Sequence, residues 1–192
     1  MNLIDRAKNI LLHPKAEWPV IEQEQTGPGR LYRGYIAILA LIPVVAGLVG
    51  RPQLPGAHAG GPAGALGSTV AGYLLGLAMV YVIAFIADTL APSFDGQKNI
   101  VQALKLTAYA LTASWVAGAF VVVPVLGGLV ALLGTLYSLY LFNLGVPVLM
   151  KVPGRKAIGY TVVVVLLVIV AGALIGVIFS ALFGSGPAAA HR

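Results

Sequence analysis

The sequence predicts an all-α integral membrane protein: a five-transmembrane-helix bundle with a short amphipathic N-terminal helix. Three observations predict it. Of the 192 residues, 59% are hydrophobic and only 9% charged, with a mean hydropathy of +0.93, whereas soluble domains carry about 25% charged residues. The apolar residues fall in runs long enough to span a bilayer, which takes roughly 20 of them. Between Asn99 and Lys156, one apolar run from Ile100 to Val123, an uncharged turn at Pro124 to Gly128 and a second run from Leu129 to Met150 read as a transmembrane hairpin ending in the basic loop Lys151, Arg155, Lys156.

Five spans fill the chain. The expected division is a cytoplasmic amphipathic segment at 1–29, one membrane domain at 30–183 and a short external tail at 184–192. The net charge of +6 does not signal nucleic acid, because the basic residues sit at membrane edges and not in a patch interleaved with aromatics. The chain has no cysteine, which rules out disulfides and thiolate metal sites. Met1 to Leu12 carries Asp5, Arg6, Lys8 and Asn9 and so lacks the continuous apolar core of a signal peptide.

Leu3, Ile4, Ala7, Ile10 and Leu11 recur at helical spacing with polar residues between them, the pattern of a short amphipathic helix. It would either lie in the headgroup plane or pack against the bundle. His13 and Pro14 end it, since the residue before a proline leaves the helical region. The segment Lys15 to Gly29 follows, closing on Gly27-Pro28-Gly29, with Trp18 expected as an interfacial anchor.

Span one is expected over Leu31 to Gly50, with Tyr32 and Tyr35 at headgroup level and a kink at Pro43. A Pro/Gly-rich loop, Arg51 to Gly64, leads to span two at Ala65 to Thr89, where Gly72 and Gly76 form a GxxxG pair suited to close helix approach. Asp88 lies at its end, before the connector holding Pro92, Asp95, Gly96 and Lys98. The hairpin supplies spans three and four. Span five is expected over Ala157 to Phe183, with a packing seam at Gly172, Gly176, Ser180 and Gly184, within the monomer or across a dimer.

The positive residues set the expected orientation. With the N-terminus inside, the inner side collects Arg6, Lys8, Lys15, Arg30, Arg33, Lys98, Lys105, Lys151, Arg155 and Lys156, leaving Arg51 and Arg192 outside. The C-terminus then lies outside.

A series of short motifs recurs in order along the chain. They are Pro14-Lys15, Glu17-Trp18 and Ile21; Ala103 to Leu106 with Ala108 to Ala110; Leu136-Tyr137 with Leu139 to Leu141; Gly145 to Pro147; Met150-Lys151; and Lys156-Ala157 with Gly159 to Thr161 before a valine run. This ordered set resembles the YIP domain family, in its bacterial branch. The resemblance implies a five-span bundle with a cytosolic N-terminus, in a class without established enzymatic activity. Eukaryotic members are linked to Rab-type GTPases and membrane traffic, a link not carried over to this short N-terminal segment.

Polar side chains inside hydrocarbon are costly, so their placement marks candidate sites. Gln102, Lys105, Tyr109 and Thr112 share one face of span three; Tyr140, Asn143 and Pro147 share one face of span four. With Asp88 these would form a polar pocket, Asp88 pairing with Lys105 while Gln102, Tyr109, Tyr140 and Asn143 line a site for a small polar ligand or lipid headgroup. Alternatively Lys105 snorkels, the tyrosines form an interfacial belt and Asn143 bonds across helices. Lys151, Arg155 and Lys156 would contact anionic lipid or act as topology determinants alone.

Catalysis has little to stand on. His13, His58 and His191 lie on separate segments without metal-ligand spacing, no serine sits in a nucleophile elbow, and the Gly-rich loop lacks the ending of a phosphate-binding loop. No cofactor is expected. The expectation is a non-enzymatic, membrane-organising or partner-binding protein of a bacterial inner membrane, contacting the lipid bilayer and a homo-oligomer or membrane-protein partner. The alternative is a small transporter, channel or lipid-handling protein using the polar pocket. A third reading is an intramembrane enzyme acting on lipid.

Overall fold

A computed structural model describes residues 2–50, 61–123 and 126–183, with side chains described except at 61–65 and 178–183. The expected loop around Arg51 and His58, the turn residue Pro124 and the tail from Gly184 lie outside the described residues, as do the side chain of Ser180 and the residues His191 and Arg192.

The described residues are helical throughout the bundle, and no strand occurs among them. Two short helices come first, α1 (Leu3–Leu12) and α2 (Pro14–Gln23). Asn2 caps α1 by accepting from the Ile4 amide at 3.3 Å. Pro14 then starts α2 at a position where its missing N–H costs nothing. Five longer helices follow, each long and apolar enough to cross a membrane: α3 (Pro28–Gly50), α4 (Gly61–Leu90, extended by a 3₁₀ turn to Phe94), α5 (Ile100–Val122), α6 (Leu126–Leu149) and α7 (Gly154–Phe183). The five expected spans are therefore present, with ends moved by a few residues.

Hydropathy decides which span takes the centre. Spans two and five, the most apolar at 2.3 and 2.8, turn exposed stripes such as Leu66, Val70, Leu74 and Phe85 outward. Span three is the least apolar at 1.3, and Ala103 through Ala110 are all buried. Polar side chains in a membrane need protein partners, so the span that carries Gln102, Lys105 and Thr107 is the one wrapped by the others.

Glycine contacts fix the close approaches. A Cβ on Gly134 would stand 2.3 Å from the Ala117 Cβ, and one on Gly118 2.6 Å from the Pro43 Cβ. Ser114 and Ser138 hydrogen-bond across spans three and four at 2.8 Å. By contrast Gly72, Gly76, Gly172 and Gly176 would meet nothing within 4 Å. Gly72 and Gly76 face spans one and three across a cavity lined by Ala40, Pro43, Leu111 and Trp115, without the close approach seen at Gly118 and Gly134.

The two connectors at one end are pinned together. Gln97 donates from its amide to the Met150 carbonyl at 2.8 Å, and Gly96 fits where a Cβ would lie 2.6 Å from Val152. Asp95, at φ 61, makes the left-handed turn that allows this. Every lysine and arginine among the described residues lies at this end of the bundle or in the two N-terminal helices docked beside it.

Candidate functional site

The site is the seat of the α1–α2 hairpin on spans three and four. A helix leaves its last carbonyls without intrahelical partners, and α2 ends beside the polar face of span three. Lys105, 2% exposed, donates from Nζ to the Ile21 carbonyl at 2.9 Å and also to the Glu24 carbonyl. Gln102 Nε2 donates to the Glu22 carbonyl at 3.1 Å. Tyr137 of span four does the same for α1, its hydroxyl donating to the Leu11 carbonyl at 2.7 Å.

Buried charge closes the hairpin on itself. Arg6 is 4% exposed, and its guanidinium pairs with both Glu17 and Glu24. It also lies over the Tyr109 ring at 5.8 Å, a cation–π contact. Tyr35 of span one packs against Tyr109 with ring centroids 4.6 Å apart and hydrogen-bonds Thr112 at 2.7 Å. Thus the face defined by Gln102, Lys105, Tyr109 and Thr112 carries one continuous set of contacts to α1, α2 and span one.

Packing completes the seat. Trp18 is fully buried in a slot that exists because residue 145 is glycine: a Cβ there would come within 2.8 Å of the indole and 2.6 Å of Leu106. Trp18 is therefore a core residue and not the expected interfacial anchor. The α1 face holding Ile10, with Leu3, Ala7 and Leu11, also packs on the bundle. The outer face carries Ile4, Leu12 and Val20 among Asp5, Lys8, His13 and Lys15.

The other expected site residues lie elsewhere. Among the described residues Asp88 forms no ion pair with Lys105, whose ammonium is taken up by the Ile21 and Glu24 carbonyls. Next to it in the chain, the Ala87 carbonyl accepts from the Tyr160 hydroxyl at 2.6 Å, and Asp88 Oδ1 is buried without a partner among the described residues. Tyr140 and Asn143 border an apolar groove of about 410 Å³ between spans four and five, where Asn143 Nδ2 donates to Thr161 at 3.1 Å. The six residues thus occupy three environments and do not share one pocket.

The basic loop is partly paired. Lys151 bonds Glu22 of α2, and Lys156 bonds Asp95. The Lys156 ammonium, with Arg155 nearby, holds the Asp95 carboxyl below the usual carboxylate range. No group of three His, Asp or Glu side chains able to hold a metal occurs among the described residues.

Sequence reasoning missed α2, and it named Tyr35, Tyr137 and Gly145 only as a headgroup-level aromatic and as motif members, without their contacts to Thr112, the Leu11 carbonyl and Trp18. Pro14 at a first-turn position was the available signal for α2; nothing in the sequence pairs Gly145 with Trp18.

Five crossings, four of them packed around a polar central span, define a multi-pass helical membrane protein. The chain matches the Yip1 domain over residues 8–176, from within α1 to the last third of span five. It belongs to that family of membrane proteins. Comparison with curated proteins and with solved structures gave no match.

Proposed function

We propose that this chain is a non-enzymatic membrane-organising or partner-binding component of a bacterial cytoplasmic membrane. The observation that carries the reading is the locked N-terminal hairpin. Its inner face is fixed by Lys105, Gln102, Tyr137 and the Arg6 ion pairs. Its outer face is consequently presented as a rigid surface, with Ile4 68% and Leu12 60% exposed among Lys8 and Lys15. Apolar side chains interspersed with lysines suit the boundary between headgroups and acyl chains. The clustering of cations at the hairpin end supports an inside N-terminus and an outside C-terminus.

The transporter alternative draws less support. Of the residues expected to line its route, Lys105 and Gln102 are engaged by backbone carbonyls of the hairpin, while Tyr140 and Asn143 border a separate apolar groove. The open stripe at Gly172 and Gly176 remains available to lipid or to a second copy.

Single-site labelling tests the reading directly, because the chain has no cysteine. A fluorophore on Leu12→Cys in lipid nanodiscs should be quenched by a headgroup-proximal lipid quencher more strongly than by aqueous iodide. Dominant iodide quenching would place the hairpin in water and remove the membrane-organising surface.

A further inference from the structure

Span one opens on a polar recess that none of the contacts above uses. A π-helical turn over Tyr32–Ile36 interrupts it, an irregularity common at functional positions. Arg30, Arg33 and Gly34 line a surface recess of about 440 Å³ there, and Gly34 would accept a Cβ with nothing within 4 Å. A second cavity of about 390 Å³ adjoins it, sharing Arg30 and Gly34 and reaching inward to Arg6, Glu24 and Tyr109.

The charges facing this space are unequal. Glu24 is its only carboxylate among the described residues, and Arg6 already pairs with it. Arg30 and Arg33 form no ion pair among the described residues. Tyr109, 5% exposed, lines the inner cavity beside Arg6. Two guanidiniums at one recess, neither in an ion pair among the described residues, favour an oxyanion, and arginine matches phosphate geometry.

The same span shows which kind of phosphate. Beyond Gly34, at helical spacing, come Ile38, Leu41 and Val45, exposed by 49%, 42% and 55%. A cationic recess that continues into an exposed apolar stripe matches a headgroup joined to acyl chains, and a free phosphate would have no use for the stripe. We propose that the recess at Arg30, Arg33 and Gly34, with the cavity behind it, binds the phosphate of an anionic lipid whose acyl chains lie along Ile38, Leu41 and Val45. The proposal needs only that the chain lie in a bilayer, and stands apart from the membrane-organising reading.

The test is native mass spectrometry of the protein exchanged into mixed phosphatidylglycerol and phosphatidylcholine, read for lipid retained per chain. Preferential retention of phosphatidylglycerol is expected, and each of Arg30→Gln and Arg33→Gln should weaken it about fivefold. Gly34→Leu keeps every charge but fills the recess, and should weaken retention as much as either arginine change. Unchanged thermal melting of these surface variants is expected. Equal retention of both lipids, indifference to all three variants, or loss only on Lys151→Gln and Lys156→Gln would each overturn the site. Displacement of the lipid by millimolar inorganic phosphate would show a soluble-anion site and overturn the lipid assignment.

Discussion

The Lys105 ammonium donates to the backbone carbonyl of Ile21 at 2.9 Å, a contact between residues 84 positions apart in the chain. A charge placed in the least apolar span is thereby satisfied by the end of a helix, where unpaired carbonyls gather and the dipole is negative. This one relationship explains why span three is central and why α2 sits where it does.

Lys105→Met should remove the cap and leave the Ile21 and Glu24 carbonyls without their donor, destabilising the fold by about 1.5–3 kcal/mol. Asp88 has no contact with Lys105, so Asp88→Asn should add independently, the double change equalling the sum within about 0.5 kcal/mol. Thermal unfolding of the two single variants and the double variant measures this; a coupling above about 1 kcal/mol would restore the Asp88–Lys105 pair.

Arg6→Met should strand Glu17 in a buried place and cost about 3–5 kcal/mol, whereas Arg6→Met combined with Glu17→Met should recover much of that loss. The same melts report it. Equal instability of the single and double variants would show that packing, and not charge pairing, holds the hairpin.

Gly145→Val should collide with Trp18 and Leu106 and destabilise by about 1–3 kcal/mol. Gly72→Ala, Gly76→Ala, Gly172→Ala and Gly176→Ala meet open space and should each stay within about 0.5 kcal/mol of the parent in the monomer. A marked loss at Gly172 or Gly176 accompanied by loss of a dimer in native mass spectra would assign that stripe to self-association.

The Asp95–Lys156 pair sets an acid limit on the connector. Its folded carboxyl titrates below the ordinary value of 3.8. Its contribution is therefore fully present above that value and is lost as pH falls through the lower folded value. Amide exchange of residues 95–98 should accelerate on acidification across that window, and Lys156→Gln should abolish the dependence. Acid sensitivity that survives Lys156→Gln would assign it to another group.

The spans were legible because hydropathy over some twenty residues is a strong signal. Helical spacing also grouped Gln102, Lys105, Tyr109 and Thr112 on one face. What that face meets was not legible: its main partners are backbone carbonyls, which every residue carries, supplied by a segment remote in sequence. Period tells which residues lie together and not what lies opposite. For the same reason GxxxG spacing singled out Gly72 and Gly76, which are open, while Gly134 and Gly145 make the close contacts. Trp18 read as an anchor because aromatics gather at membrane edges, yet a glycine on span four gives it a buried slot.

The most direct test of the docked hairpin is hydrogen exchange of α2, residues 14–23, in lipid nanodiscs. The seat described here predicts strong protection in the parent, retained in Asp88→Asn and lost in Lys105→Met while spans two and five stay protected. Exchange of α2 at the rate of an unstructured segment in the parent, or protection indifferent to Lys105→Met, would contradict it.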